Sequence, residues 1–143
     1  MDRPVTPPPA GGHRVVAVPG LAEPTGFAHA VVAAPGRTVY LGGQTAQDRD
    51  GTIVGDTIAG QLDIAAGNVV AALRAAGARP EHLVSMIIYV TDVAAYRAAL
   101  PALGAVWRRH FGRHYPAVAL LGVAALFDDD AMVELVGTAV VPG

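Results

Sequence analysis

Apolar residues recur along this chain with two different spacings, and each spacing predicts a different kind of element. Short apolar runs at 14–18, 28–34 and 38–46 are separated by proline and glycine, which is typical of strands joined by turns. The second and third runs flank Pro35-Gly36, so the sequence predicts a hairpin there. Residues 52–54 are a candidate for one more short strand.

From Asp56 onward the apolar spacing becomes that of a helix of roughly five turns. The positions that share its apolar face are Ile58, Leu62, Ala65, Val69, Leu73 and Ala76. Asp56 or Thr57 can accept hydrogen bonds from the first free amides of this helix. Gly77 suits the left-handed residue that often follows the last turn.

A second helix is predicted between Pro101, which fits a first turn because its missing N–H is not needed there, and Gly112. The buried residues predicted for this helix are Leu103, Val106, Trp107 and Phe111. Residues 83–91 are continuously apolar, which favours a central strand covered on both faces. Two further strands, 118–123 and 132–141, complete the chain.

This order of elements predicts an α/β (α+β) fold, in which a mixed β-sheet carries two helices on one face. The other face of the sheet is left open, so we expect a homo-oligomer whose sheets face one another. We expect one domain over 13–143, preceded by a flexible tail at 1–12. The tail is rich in proline and glycine and lacks the apolar stretch of a signal peptide.

Composition narrows the classes of function. Of the 143 residues 52% are hydrophobic and only 15% are charged, so part of the apolar surface is expected to be buried against another subunit. The formal charge of −2 favours neither a nucleic-acid partner nor a membrane surface. The chain has no cysteine, which excludes disulfides and thiolate zinc sites, and we expect a cytoplasmic protein.

Six short segments resemble, in identity, order and spacing, the Rid/YjgF-type family of reactive-intermediate (imine and enamine) deaminases. They are Phe27-Ala28-His29-Ala30 for the family's Y-S-Q/H-A, Gly42-Gly43-Gln44 for S-G-Q, Gln61 and Asn68 for the Q…N helix, Tyr89-Val90-Thr91-Asp92 for Y-V-T-D, Pro116-Ala117-Val118 for P-A-R, and Val133-Glu134-Leu135 for V-E-I. The match extends from about Thr25 to Ala139, which is nearly the whole predicted domain.

The resemblance implies a chorismate-mutase-like (Rid) fold and a homotrimer with three ligand clefts between subunits. It also implies an enzyme that hydrolyses 2-imino or enamine acids to keto acids and ammonia, with no cofactor and with a small molecule as its substrate. In the family the arginine of P-A-R clamps the substrate carboxylate, because a planar guanidinium meets both carboxylate oxygens.

Four cleft positions that are polar in the family are apolar or lack a side chain here. Val118 replaces the arginine, Gly42 the serine of S-G-Q, Phe27 the tyrosine, and Leu120 the small polar or thiol residue two positions past the arginine. Glu134 retains the family's pocket glutamate. The family fold is therefore carried over more safely than the family reaction.

Two residues are candidates for acid–base chemistry. Glu134 lies in an otherwise apolar strand, and a carboxylate among valines is costly unless it is hydrogen-bonded or used. In a cleft it would hold a water or accept a proton; the alternative is a solvated strand face. His29 occupies the family's Q/H position, where an acid–base role and a structural role are both open.

The candidate ligand-binding residues are Phe27, Gly42, Gly43, Tyr89, Tyr115, Pro116, Val118, Leu120 and Arg113. Gly42-Gly43 either lets a ligand approach the backbone closely or forms a bulge in a strand. Tyr89 and Tyr115 either line the rim of the cleft or pack in the core or an interface.

Residues 107–114 form the only basic cluster of the chain. Its members at 108–110 lie at the predicted end of a helix, where cations complement the helix dipole. Arg113 or His114 is the candidate to replace the lost arginine. RNA binding is less favoured, because no aromatic stacking platform accompanies the charge. The carboxylates at 128–130 would diverge on a turn, so they predict a solvated loop and no metal site.

We therefore expect a Rid-family small-molecule enzyme that hydrolyses or tautomerises an imine, an enamine or a related intermediate that is larger and less anionic than an imino acid. Glu134 would position water or a proton, and Phe27, Val118 and Leu120 would form an apolar wall that selects the substrate. The alternative is a non-catalytic ligand-binding or regulatory trimer. Endoribonuclease activity is a third and weaker hypothesis.

Overall fold

The computed structural model describes residues 12–143, so all but the last residue of the expected tail lie outside the described part. The elements are β1 (Arg14–Val16), β2 (Ala30–Val32), β3 (Gly36–Tyr40), α1 (Ile58–Ala75), β4 (Leu83–Val90), α2 (Val93–Ala98), α3 (Leu100–Phe111), β5 (Ala117–Gly122) and β6 (Val133–Pro142), with a short 3₁₀ turn at Pro80–His82. This is the mixed α+β architecture that the apolar spacing predicts.

Four of the strands form one mixed sheet in the order β3-β6-β4-β5. β4 and β5 run parallel, whereas β6 is antiparallel to both of its neighbours. A parallel pair needs a long crossover, and here α2 and α3 supply it between β4 and β5. The prediction of a mixed sheet is confirmed.

The predicted hairpin around Pro35-Gly36 is wrong. β2 pairs with β1 in a separate two-stranded sheet, and β3 pairs with β6. A side chain on Gly36 would overlap the Val141 carbonyl, so the glycine is the point at which the chain enters the larger sheet against the β6 backbone. Residues 52–54 contribute only an isolated bridge, between Ile53 and Gln47.

The two predicted helices are confirmed, and their ends have the expected chemistry. The Thr57 hydroxyl accepts a hydrogen bond from the Gly60 amide at 3.0 Å, which caps α1. Gly77 and Gly112, which follow α1 and α3, have φ of +77° and +64°, where a side chain would be strained. The short helix α2 was not predicted, because its six residues include no buried one and so carry no apolar period.

Helices α1 and α3 cover one face of the four-stranded sheet, and the core lies between these helices and the sheet. The buried residues of β4 and β6 include Ile88, Val90, Val133 and Leu135. The intervening residues of both strands are half-buried or exposed, so the expectation that 83–91 is covered on both faces is wrong for a single chain. The open face carries Tyr40, which is 82% exposed.

Candidate functional site

Glu134 is the only acidic residue on the open face of β6. It pairs across the sheet with Tyr89, and the two half-buried side chains alternate with core residues along their strands. Within residues 12–143 the Glu134 carboxylate makes no side-chain hydrogen bond and no ion pair. A half-buried carboxylate without a partner retains its capacity to accept a proton or to hold a water.

Gly42-Gly43 forms a bulge beside this carboxylate. Tyr40 pairs with Thr138 and Gln44 pairs with Leu135, so four steps along one strand match three steps along β6. The pairing resumes firmly after the bulge, because Gln44 and Leu135 exchange two backbone hydrogen bonds of 2.8 Å. A bulge redirects the chain locally and leaves the extra residue out of the ladder.

Gly43 lies directly against the Glu134 side chain. A Cβ atom at Gly43 would be 2.8 Å from Glu134 Cδ and 3.0 Å from its Oε1, whereas a Cβ at Gly42 would meet nothing within 4 Å. The structure therefore shows the bulge, and Gly43 lets the backbone approach the Glu134 carboxylate. The approach of a ligand to this glycine pair stays a prediction. The Gly42 carbonyl is occupied by the Gln44 side-chain amide at 3.2 Å.

A second group of candidate residues lies at the other end of β4. Ala28 forms a parallel bridge with Ala117, and its amide donates to the carbonyl of the buried Pro116 at 2.9 Å. The chain on either side of Ala28 thereby borders a groove of about 420 Å³ along the starts of β4 and β5. The residues lining this groove include Phe27, His29, Ser85, Ile87, Val118 and Ala119.

The His29 side chain is hydrogen-bonded to the backbone. Its Nε2 donates to the Ala22 carbonyl at 2.7 Å, and its ring packs edge-on against Phe27 with centroids 5.1 Å apart. Only Nδ1 remains for a ligand, so the structure gives His29 a clear role in holding the 17–26 segment in place. Its acid–base role remains a prediction.

Val118 and Leu120 lie on the side of β5 that faces the helices. They pair in register with Met86 and Ile88, which are buried, and both pack against the core. Glu134 is on the opposite face of the sheet. One chain therefore does not assemble the apolar wall expected around the carboxylate.

Arg113 and Tyr115 line a larger cavity of about 880 Å³ together with Phe27 and His29. Tyr115 is half-buried and stacks on Trp107 with ring planes 6° apart, so it is a packing residue as well as a wall residue. Arg113 lines the cavity and Val118 lines the groove, and the two spaces have only residues 27–29 in common.

The candidates thus fall into two groups within one chain. Glu134 lies opposite Tyr89, whereas the Phe27–His29 segment lies beside Ala117, which pairs with Ser85. Tyr89 is four residue steps along the strand from Ser85, which corresponds to roughly 13 Å. A ligand that touches both groups within one chain would have to span that distance.

The basic cluster at the end of α3 is used structurally. Arg109 and His110 bind Asp63 of α1 at 2.7 Å and 2.6 Å. The hydrogen bond from His110, assisted by Arg109, lowers the pKa of Asp63 below its ordinary value. No group of three or more potential metal ligands is found within residues 12–143.

The sequence identified Gln61 and Asn68 only as members of a family motif, and it did not reveal their structural roles. The buried Gln61 amide donates to the carbonyls of Gly55 and Asp130, and its oxygen accepts from the Met132 amide at 2.8 Å. Asn68 donates to the carbonyls of Thr45 and Gln47. These two side chains fix the segments that lead to Gly43 and to Glu134. The available signal was an amide side chain on an otherwise apolar helix face.

Comparisons with known proteins agree on one family. Residues 21–141 match the family model described as Endoribonuclease L-PSP. A Rid-family protein of unknown function from Yersinia pestis is 30% identical, with a TM-score of 0.80 over 90% of this chain and 98% of that one.

Two further solved structures are similar. A YjgF-family member from Mycobacterium tuberculosis is 32% identical, with a TM-score of 0.61 over 81% of this chain and 87% of that one. RidA from an Antarctic Psychrobacter is 25% identical, with a TM-score of 0.63 over 83% and 91%. No curated protein matches the chain. Among residues 12–143, no helix is long and apolar enough to span a bilayer.

Proposed function

Because the chain belongs to the Rid/YjgF family, we propose that it is a small-molecule enzyme that hydrolyses or tautomerises an imine, an enamine or a related reactive intermediate. The observation that carries this proposal is the Glu134 carboxylate, half-buried on the open sheet face with Gly43 against it. A side chain at position 43 would displace this carboxylate, so the bulge and the acid form one unit.

Hydrolysis needs one group that first accepts and then returns a proton. Glu134 would take a proton from water as the hydroxyl oxygen bonds to the carbon of the protonated imine and the C=N electron pair moves to nitrogen, which gives a neutral carbinolamine. The same carboxyl would then protonate the carbinolamine amino group, and the C–N bond would break to release ammonia. As the carbonyl forms, the regenerated carboxylate would take the hydroxyl proton and pass it to solvent. Tautomerisation of an enamine needs only the delivery of one proton to carbon and the removal of another proton from nitrogen.

The substrate is expected to be apolar near the reacting carbon. Phe27 and Val118 line the groove, and among residues 12–143 no arginine joins them in its lining to take the place of the family's carboxylate clamp. A buried carboxylate without a partner costs about 3 kcal/mol or more, which corresponds to about a hundredfold in affinity. Small 2-imino acids are therefore poor candidates.

The two groups of candidate residues would meet between copies of the chain. The open sheet face exposes apolar and aromatic side chains, among them Tyr40 and Leu121, and a homotrimer would bury them. In such a trimer the Glu134 and Gly43 half of a cleft comes from one subunit, and the Phe27 and Val118 half comes from its neighbour.

The first experiment measures turnover of imines generated in place by an amine oxidase. Wild-type protein should accelerate their decay, and Glu134→Gln should abolish the acceleration while light scattering still gives three times the chain mass. Unchanged decay with Glu134→Gln would return Glu134 to a structural role. His29→Ala should have the smaller effect, because its Nε2 is already occupied.

Subunit mixing then tests where the cleft lies. Ala119→Trp should fill the groove and inactivate the protein without touching Glu134. If each cleft combines two subunits, co-refolding equal amounts of Glu134→Gln and Ala119→Trp chains should restore about a quarter of wild-type activity, since random pairing gives that share of clefts two intact halves. No recovery in verified mixed trimers would place the site within one chain.

A non-catalytic ligand-binding or regulatory trimer is the second candidate, favoured by the absence of a guanidinium at Val118. It predicts that trimers bind apolar imine analogues without turning over any imine of the series. Endoribonuclease activity is the third hypothesis and rests on the description of the family model. Arg109 and His110 are engaged by Asp63, so we expect no salt-sensitive RNA binding in a titration.

A further inference from the structure

A second cavity, which Glu134 does not line, lies within the described part of the chain. It measures about 880 Å³ and lies between the 15–24 segment and the turn at 111–115, and it shares only the Phe27–His29 wall with the groove. Cavities of this size are typical of small-molecule sites. Neither the Glu134 chemistry nor the groove uses it.

The walls of the cavity are mostly apolar. The larger apolar side chains that line it include Val15, Val18, Leu21, Phe27, Phe111 and Tyr115. Leu21 remains 55% exposed and Val15 36% exposed, so these side chains face open space from the cavity wall. Such surface is stabilised when an apolar group covers it.

Charges of both signs border the same space. Arg113 and Glu23 line the cavity, and neither forms an ion pair within residues 12–143. Glu81 is already paired with Arg79 at 3.0 Å. The two histidines of the lining, His29 and His114, donate to backbone carbonyls at 2.7 Å each, and the Tyr115 ring stacks on Trp107. One guanidinium and one carboxylate are therefore left for a ligand.

We propose that this cavity binds an amphipathic zwitterion of the class of apolar α-amino acids. Arg113 would hold the ligand carboxylate with two parallel N–H groups, Glu23 would accept from the ammonium, and the aliphatic or aromatic side chain would lie on the apolar walls. The proposal does not rest on imine turnover, because Arg113 and Glu23 line the cavity and not the groove, although the two spaces share the Phe27–His29 wall.

Calorimetric titration of the wild-type full chain tests the ligand class. Leucine and phenylalanine should bind, and leucine should bind at least about tenfold more tightly than isoamylamine, which lacks its carboxylate, and isocaproate, which lacks its amine. Equal affinity for either analogue would overturn recognition of a zwitterion. Absence of binding of both amino acids at millimolar concentration would overturn the site.

Variants assign the contacts. Arg113→Gln and Glu23→Gln should each weaken leucine binding by about tenfold or more, with thermal stability unchanged. Arg108→Gln and Asp129→Asn change charges that are also exposed but lie outside the cavity, and they should leave binding unaltered. Ala17→Trp should abolish binding by filling the space. If Ala17→Trp instead dissociates the oligomer and the wild type binds nothing, the cavity is covered by a second copy and the proposal fails.

Discussion

Replacing Gly43 by alanine tests whether the bulge and the Glu134 carboxylate form one unit. The new Cβ would lie 2.8 Å from Glu134 Cδ, well inside the ~3.5–4.0 Å of an ordinary carbon contact. Gly43 has no positive φ, so alanine introduces no backbone strain. The whole cost must arise from displacing the Glu134 side chain.

The expected loss of stability depends on which side chain can move to relieve this contact. Glu134 ends in a flexible chain, so it would turn to a less favourable rotamer at a cost of about 0.5–1.5 kcal/mol. Alanine also restricts the unfolded chain, which stabilises the protein by about 0.4–1 kcal/mol. Gly42→Ala has the second effect alone, because nothing lies within 4 Å of its Cβ. Gly43→Ala should therefore be about 1 kcal/mol less stable than Gly42→Ala.

The assay is chemical denaturation at one fixed protein concentration, since any oligomer makes stability concentration-dependent. In a Glu134→Ala background the difference between the two alanine variants should vanish, because the displaced side chain is gone. A difference that persists there would show that the strain does not come from Glu134. Where turnover is found, Gly43→Ala should lower it far more than Gly42→Ala.

Three further predictions concern pH and the groove. Asp63→Asn should remove stability that is present above about pH 4 and is lost as pH falls through the lowered pKa of Asp63, by no more than about 1 kcal/mol because the pair is partly exposed. Desolvation lowers the pKa of His114, so wild-type stability should fall as pH drops below about 6.5, and His114→Gln should flatten that slope in denaturation curves. Val118→Arg should lower the free energy of unfolding by about 1–3 kcal/mol, because Val118 packs on the core, and it should restore hydrolysis of small imino acids only in part. An equal loss of stability in Ala119→Arg, on the exposed side of the strand, would contradict this reason.

The elements with a clear apolar period were predictable from sequence. Helix α1 buries Leu62, Val69 and Leu73 as its spacing predicts, because burial of one helix face is a local consequence of the 3.6-residue repeat. The strand partners were not predictable. Pro35-Gly36 has the composition of a hairpin turn, but the contact that decides the pairing is between Gly36 and Val141, over a hundred residues away along the chain.

The sequence named a set of candidate site residues, whose roles stay a prediction, but it did not predict how these residues are arranged. Alternation along a strand tells which residues share a face. The face of the sheet on which Val118 lies depends on the register between β4 and β5, and no local pattern in the sequence specifies that register. The hydrogen bond between His29 and the Ala22 carbonyl could not be predicted either, because it depends on the path of an irregular segment. A bulge at Gly42-Gly43 was weighed from composition, whereas its position against Glu134 needed the pairing with β6.

The departures from the family pattern are unevenly divided between the two halves of the proposed cleft. Phe27 and Val118 have both lost polar groups, and both line the groove that would receive the body of a ligand. The other half has lost the serine that Gly42 replaces, but it keeps the Glu134 carboxylate against Gly43, even though a half-buried carboxylate without a partner is costly. A protein that only bound apolar molecules would gain nothing from that cost. The arrangement is better explained by a proton-transferring group that has been retained while the specificity of the binding half has shifted toward apolar substrates.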